Sequence, residues 1–268
     1  MFTIVVSKSD LAGMNFFPLF TENFGFRETG RIFDGSPIFA FGNFELLTIN
    51  SVQIFADFLD KRKTDFFIFA SKHSSTAKKP SLTAHAIGNF SKAEFGGKDF
   101  ELCPSSAFLS RNYLLSLKEQ RESLVLPDFE ICLEATHHGP FLKTPSIFIE
   151  LGSSEKEWLL KKPAEAVVET ILKKTSLHSN AVPCIGIGGG HYAPGFTKRV
   201  LNENFAFSHI AAEYSLPHFT EFSLQKMVSN SIEKPELIVA DRKGLGKSVQ
   251  KNRIQQILQE SGIEILFV

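Results

Sequence analysis

Residues 163–191, PAEAVVETILKKTSLHSNAVPCIGIGGGH, decide the fold class. Pro163 suits the first turn of a helix, and Ala164, Val167, Val168, Ile171 and Leu172 fall on one helical face behind it. The apolar run Cys184–Ile187 then reads as a strand that empties into Gly188-Gly189-Gly190-His191. Just upstream, Ile147–Leu151 (IFIEL) is another short apolar strand. Strand, amphipathic helix and strand in succession make the unit from which α/β sheets are built.

The same alternation extends both ways. Strands are predicted at Phe2–Val6, Pro37–Phe41, Leu46–Asn50, Asp65–Ala70, Leu82–Ile87, Phe129–Ala135, Phe205–Ala211, Glu236–Ala240 and Ile263–Val268. Ser9-Asp10 caps a helix through Leu19, a second helix runs from Ser105 to about Gln120, and a late one carries Ile254, Ile257 and Leu258. The polar stretch Lys72–Ser81 is expected to be a loop. Too few residues separate Phe129–Ala135 from Ile147–Leu151 for a crossover helix, so these two are expected to pair antiparallel. No linker or repeat divides the chain. The expectation is a single domain over residues 1–268, a three-layer α/β/α arrangement around a mixed, mostly parallel sheet.

Composition narrows the function classes. The 29 basic residues balance 29 acidic ones, so a long DNA or RNA tract cannot be gripped by a general basic excess, and any nucleic-acid contact must use a local patch. The 28 Phe against 3 Tyr and 1 Trp point to core filling by a ring that needs no hydrogen-bond partner. Cys103, Cys132 and Cys184 are too scattered for a disulfide framework or a metal knuckle. With no signal peptide and no apolar run near the ~18 residues of a membrane span, a cytoplasmic, membrane-free protein is expected.

Two segments come close to phosphate motifs. Asp241-Arg242-Lys243-Gly244-Leu245-Gly246-Lys247-Ser248 lies between a strand and a helix, but Asp241 stands where a Walker loop needs glycine and would repel a phosphate. Its basic residues could still hold a single phosphate at a helix N-terminus. Gly186-Ile187-Gly188-Gly189-Gly190-His191 resembles a dinucleotide fingerprint but ends in a histidine where close packing wants glycine. Three consecutive glycines instead let the backbone approach a ligand and offer N–H donors.

The histidines carry the chemistry. His137 and His138 leave a predicted strand together, and Gly139-Pro140 offers the turn that would bring both to one site. Glu134 shares His138's parity along that strand, Glu150 lies on the next strand, His191 closes the glycine loop, and His209 is followed by Glu213. Imidazoles with carboxylates can act as acid and base near neutral pH or can bind zinc and activate water. No ligand spacing chooses between them. His73, His85, His178 and His218 are expected to be surface or satisfied core positions.

These residues resemble a known family, the archaeal and plant type of D-aminoacyl-tRNA deacylase. The resemblance is carried by Ser71-Lys72-His73-Ser74-Ser75, Pro80-Ser81-Leu82-Thr83, Glu134-Ala135-Thr136-His137-His138-Gly139-Pro140, Glu150-Leu151-Gly152-Ser153, Gly188-Gly189-Gly190-His191-Tyr192-Ala193-Pro194, His209-Ile210 with Glu213-Tyr214, and Asp241-Arg242-Lys243. It spans essentially the whole chain. Phe141, where a small hydroxyl residue is expected, is a departure that would narrow a pocket or alter a hydrogen bond.

The resemblance implies hydrolysis of the ester between a D-amino acid and the terminal ribose of tRNA by a zinc-dependent monomer, with a fold similar to nucleoside phosphorylases and peptidyl-tRNA hydrolase. On that basis His137, His138, His191, Glu134 and Glu150 are the catalytic candidates. Thr136, Gly188, Gly189, Gly190, Tyr192 and Glu213 are candidates for oxyanion or substrate contacts, and Lys72, Arg242, Lys243 and Lys247 for tRNA phosphates. His137, His138, His191 and His209 are the metal candidates. A non-catalytic nucleoside or RNA-end binding module and a zinc-dependent peptidase remain as alternatives.

Overall fold

The computed structural model describes residues 1–173 and 175–268. Its strands are β1 (Phe2–Ser7), β2 (Arg27–Phe33), β3 (Ser36–Phe41), β4 (Phe44–Ile49), β5 (Phe66–Ser74), β6 (Ser81–His85), β7 (Glu130–Leu133), β8 (Ser146–Ser153), β9 (Val182–Ile187), β10 (Phe205–Ala211), β11 (Leu237–Ala240) and β12 (Glu264–Phe267). The helices are α1 (Leu11–Pro18), α2 (Ala107–Ser123), α3 (Glu155–Trp158), α4 (Lys161–Lys173), α5 (Pro194–Asn202), α6 (Glu221–Ser229) and α7 (Ser248–Glu260). Among the described residues, no helix is long and apolar enough to cross a membrane.

The expected α/β class with mixed, mostly parallel pairing holds, but the strands divide between two sheets. The larger has the order β2-β3-β4-β1-β5-β8-β6-β7, and the smaller β10-β9-β11-β12. Pairing in the smaller sheet is parallel throughout. In the larger, β6 runs antiparallel to β8, and β2 and β3 form an antiparallel edge. The expected pairing of the Phe129–Ala135 and Ile147–Leu151 strands is corrected. β6 is inserted between them, antiparallel to β8 and parallel to β7, so the predicted relative direction holds while the neighbour does not.

Strand alternation sorts the larger sheet's side chains onto two unlike faces. One face presents Ile68, Ala70, Leu82, Ala84, Ile147, Ile149 and Leu151 to α1, α2 and α4 in the main core. That core continues through Tyr113 and Leu117 of α2 to Phe196, Phe207 and Val239 of the second sheet's layer. The other face begins apolar, with Phe67, Phe69 and Phe148 packed on Ala56, Leu59 and Leu142 from connecting segments. Helices therefore cover the larger sheet on one side only, whereas the smaller sheet has α6 and α7 packed on its far face. The side closed by connecting segments, short 3-10 turns at Gln53–Phe55 and Asp57–Lys61 among them, is where the polar residues collect.

Candidate active site

Three adjacent strands, β5, β8 and β6, build the floor of the site by register. Ser71 lies opposite Glu150, and Glu150 lies opposite Thr83; His73 is two residues along β5, and His85 two along β6. Period-two alternation puts Ser71, His73, Glu150 and His85 on the loop-covered face, continuing the rows of Phe67, Phe69 and Phe148. Gly152 belongs to this design. A Cβ there would come within 2.7 Å of His73 Cδ2, so only glycine leaves room for that ring.

The remaining groups arrive from the ends of β7 and β9. After β7 the chain crosses to the smaller sheet, where Ala135 N donates to His191 O (2.8 Å) and Thr136 N to Ile210 O (2.9 Å). His138 then adopts a left-handed backbone, φ +45°. Strand alternation ends there, and both neighbouring imidazoles reach His85, with ring centroids 4.1 Å (His137) and 4.9 Å (His138) away. The turn thus falls on His138 itself, one residue earlier than the sequence suggests.

The hydrogen bonds fix the tautomers. Nδ1 of His85, His137 and His138 each faces a backbone carbonyl, of Ala86 (3.0 Å), Ala135 (2.7 Å) and Gly139 (2.7 Å), and must donate its N–H. The lone pairs are then left on three Nε2 atoms, and the three residues place their ligand atoms within 4.8 Å of one another. Buried His85 Nε2 has no hydrogen-bond partner. Carbonyl-anchored imidazoles whose ligand atoms converge fit a metal that takes three protein nitrogens and keeps a fourth position open. Two further groups, Glu134–His137–His191 and His73–Glu134–Glu150, also converge closely enough to hold an ion.

Electrostatics bind these groups into one unit. Glu134 is buried, accepts from His191 Nε2 (2.8 Å) and lies 3.1 Å from His73 Nδ1. Burial alone would raise its pKa, but the His191 hydrogen bond and nearby histidine charge hold it down at about 2. Glu150, bonded to Ser71 Oγ (2.9 Å), is likewise raised by burial but held well below the carboxylate range by His73 and His85. For His73, burial works downward, yet the Glu150 hydrogen bond and both carboxylate charges lift it to about 10. Its Nε2 meets the Tyr192 hydroxyl at 3.0 Å. His137 is held well below the usual imidazole range, and His138 at about 4, by burial and then by neighbouring imidazoles. Both keep their lone pairs at neutral pH. Burial lowers His85 too, but its closeness to Glu150 raises it overall, so a proton and a metal would compete for that nitrogen.

A cavity of about 710 Å³ opens on the cluster, lined by His73, His137, His138, Glu150 and His191 among others. Lys72 and Tyr214 also line it. Of the other sequence candidates, Thr136 Oγ1 accepts from Ile210 N (3.0 Å), so this residue ties the two sheets together instead of facing the cavity. The N–H of Gly188 donates to Ala211 O (2.7 Å), which removes it as an oxyanion donor. Gly244 backs directly onto Gly188 and Gly189, where a Cβ would meet Gly189 N at 2.0 Å. His209 hydrogen-bonds Thr136 (3.4 Å) and the Asn230 carbonyl (3.3 Å), outside the three metal-capable groups among the described residues. Glu213 is exposed, its N–H bound to Gly189 O.

The basic loop lies behind the glycine loop. Arg242 packs over the Phe267 ring, and Lys247 precedes α7, so these residues and Lys243 do not line the cavity. Asp241 Oδ1 accepts from the N–H groups of Lys243 and Gly244, taking the place a phosphate would have had.

Sequence reading missed two central residues. His73 and His85, expected to be surface or satisfied core, stand at the heart of the cluster; Lys72–Ser81 is no simple loop, because β5 runs on through Ser74. Asp10 is marked by the sequence only as a helix cap. It does accept from Gly13 N (2.9 Å), and its other oxygen accepts from Lys72 N (2.9 Å) at the cavity wall.

Fold and cluster together define an α/β protein with a buried histidine–carboxylate centre able to hold a metal and handle protons at the floor of an open cavity. A profile of the D-aminoacyl-tRNA deacylase family matches residues 60–266. The chain is 40% identical to the D-aminoacyl-tRNA deacylase of Thermococcus onnurineus, covering 99% of each, and 34% identical to that of Methanocaldococcus jannaschii, covering 98% of each. The crystal structure of a conserved protein of unknown function, AF0625, matches with a TM-score of 0.89 at 33% identity, over 100% of this chain and 95% of that one. The chain belongs to the D-aminoacyl-tRNA deacylase family, whose members are enzymes that hydrolyse ester bonds.

Proposed function

We infer that this protein hydrolyses the ester joining a D-amino acid to the terminal ribose of tRNA, releasing the free amino acid and the tRNA. The observation that carries the reading is the convergence of three carbonyl-anchored imidazoles beside two ionised carboxylates at the cavity floor. An aminoacyl ester is already activated, so a positioned water and a base suffice. Zinc is the metal that three nitrogen ligands and one open position suit, with His85, His137 and His138 as its holders. When bound, it would polarise the ester carbonyl and make water acidic enough to lose a proton near neutral pH.

The chain's own residues supply the proton handling. Glu134 takes the N–H of His191 Nε2, which leaves Nδ1 as the basic nitrogen. That Nδ1 faces the Tyr214 hydroxyl (3.3 Å), and both residues line the cavity. His191 Nδ1 accepts the proton of the attacking water and returns it to the ribose oxygen as the ester breaks. Glu150 lines the cavity and is the carboxylate that meets the substrate's ammonium group. Lys72 meets the phosphates of the acceptor end. The working unit on this reading is one chain, a single domain over residues 1–268, acting in the cytoplasm.

The test is release of tyrosine from matched D- and L-tyrosyl-tRNA by purified protein. Turnover of the D form, with the L form spared, is expected. Turnover of neither would leave a binding module, and cleavage of peptides without tRNA would favour a peptidase.

A further inference from the structure

The 28 phenylalanines are not all core. Phe95 is 65% exposed and Phe55 is 55% exposed, and they flank the same glycine, Gly96. Phe95 lines the catalytic cavity, as do Val52 (45% exposed) and Ile54. Scattered apolar side chains on a surface need no explanation, but a contiguous patch on the rim of a cavity does.

This rim is built tightly against the histidines. Gly139 N, next in the chain after His138, donates to Phe95 O (3.0 Å), and Asn89 Nδ2 donates to Gly96 O (3.0 Å). The backbones touch: a Cβ on Gly139 would fall 2.2 Å from Gly97 N and 2.3 Å from Ile54 O, and one on Gly96 would fall 1.9 Å from Ile54 O. Glycines at these positions bring three backbone segments into contact and anchor the backbone that carries Phe95 against the chain next to His138. Positive charge stands beside it. Lys92 lines the same cavity and enters no ion pair among the described residues, and Lys72 lines it with its ammonium over the Trp158 ring (5.0 Å). Glu94 is the acidic neighbour on this rim.

We propose that Phe95, with Val52 and Ile54 beside it, is the platform on which the terminal nucleobase of the RNA acceptor end stacks, while Lys72 and Lys92 hold the adjoining phosphates. An exposed ring next to cations is how single-stranded nucleic acid is held without sequence readout, since every base offers a π-face and every linkage a charge. Phe95 and the histidines line one cavity, so a base on that ring keeps its ribose in the cavity that holds the reacting groups. This assignment rests on the deacylase reading above and names the part of the substrate that reading leaves unplaced.

The experiment measures KM and kcat for D-tyrosyl-tRNA, together with the inhibition constant of the free trinucleotide CCA, in wild type and in Phe95→Ala, Phe95→Trp and Ile32→Ala. Ile32 is an exposed β2 residue outside the cavity. Phe95→Ala is expected to raise both KM and the inhibition constant between about 5- and 100-fold, as loss of one stacked base does. Phe95→Trp is expected to retain wild-type binding and Ile32→Ala to match wild type. Unchanged constants in Phe95→Ala, with wild type active, would overturn the platform alone and turn attention to a protein partner for the rim. A fall in kcat without a rise in either constant would also overturn it, by giving Phe95 a purely structural role. If wild type neither hydrolyses the tRNA nor binds the trinucleotide, the deacylase reading fails and the platform with it.

Discussion

Replacing Glu134 by Gln keeps the side chain's shape and removes its charge at the point where three histidines meet. The carboxylate accepts from His191 Nε2 at 2.8 Å and lies 3.1 Å from His73 Nδ1, in a position with almost no solvent contact. An amide oxygen could still accept from His191, but it neither stabilises an imidazolium nor enforces the tautomer with a basic Nδ1. Neutralising the orienting carboxylate of a catalytic histidine costs up to about 10⁴ in kcat elsewhere. A fall of about 10²–10⁴, roughly 3–5 kcal/mol of transition-state stabilisation, is expected here. The fold should survive, because Glu150 still pairs with His73; a loss of about 1–3 kcal/mol is expected, below the range for leaving a buried charge wholly unpaired. Single-turnover hydrolysis of D-tyrosyl-tRNA reads the first effect and urea denaturation the second. The His73 imidazole should also titrate lower than about 10, because one of its two carboxylate partners is gone. A folded Glu134→Gln protein with kcat within threefold of wild type would refute the assignment of Glu134 to His191.

Three other outcomes follow from the same geometry. Gly152→Ala places a methyl 2.7 Å from His73 Cδ2, so urea denaturation should show a loss of about 1–3 kcal/mol from overpacking, together with a sharp loss of turnover. His209 is buried and held at about 4, below its unfolded value, so its neutral form is the one the fold accepts. Its contribution to stability is intact above pH 6.5 and falls by up to about 3 kcal/mol as pH drops towards 4. His209→Gln should flatten the pH dependence of the denaturation midpoint over that window, and an unchanged slope would contradict it. His85→Ala removes one of three converging nitrogens, so elemental analysis of the purified variant should find less bound metal than in wild type, and added zinc should raise its melting temperature less.

Much of this could be seen in the sequence, and what could not has identifiable reasons. His137, His138, His191 and Glu134 stand out because they lie at a strand exit or a glycine turn, where exposed chemistry is expected, and Glu150 because it is a carboxylate in an otherwise apolar strand. His73 and His85 are hidden because nothing local marks them: His73 falls in a polar stretch that reads as loop, His85 in an apolar strand, and their role depends on β8 being their common neighbour. That pairing is nonlocal, and local periodicity carries no trace of it. The polarity of Lys72–Ser74 suggested solvent, whereas these residues border an internal polar cluster. Edge strand β2 was also missed, although Asp34-Gly35 was a visible hairpin signal; both residues take positive φ there, +48° and +72°. Backbone donors and hydroxyls look free in a sequence, which makes Gly188 and Thr136 candidates for substrate contact. Their partners, Ala211 O and Ile210 N, come from β10, whose place beside β9 could not be inferred from the loop itself.

The most direct single measurement is hydrolysis of D-tyrosyl-tRNA by protein stripped with a chelator, verified metal-free by elemental analysis, and then restored with zinc. Activity that vanishes with the metal and returns in proportion to the zinc bound, up to saturation, is expected from the three converging histidine nitrogens. Full activity in verified metal-free protein would contradict it and leave the reaction to His191 and Glu134 alone.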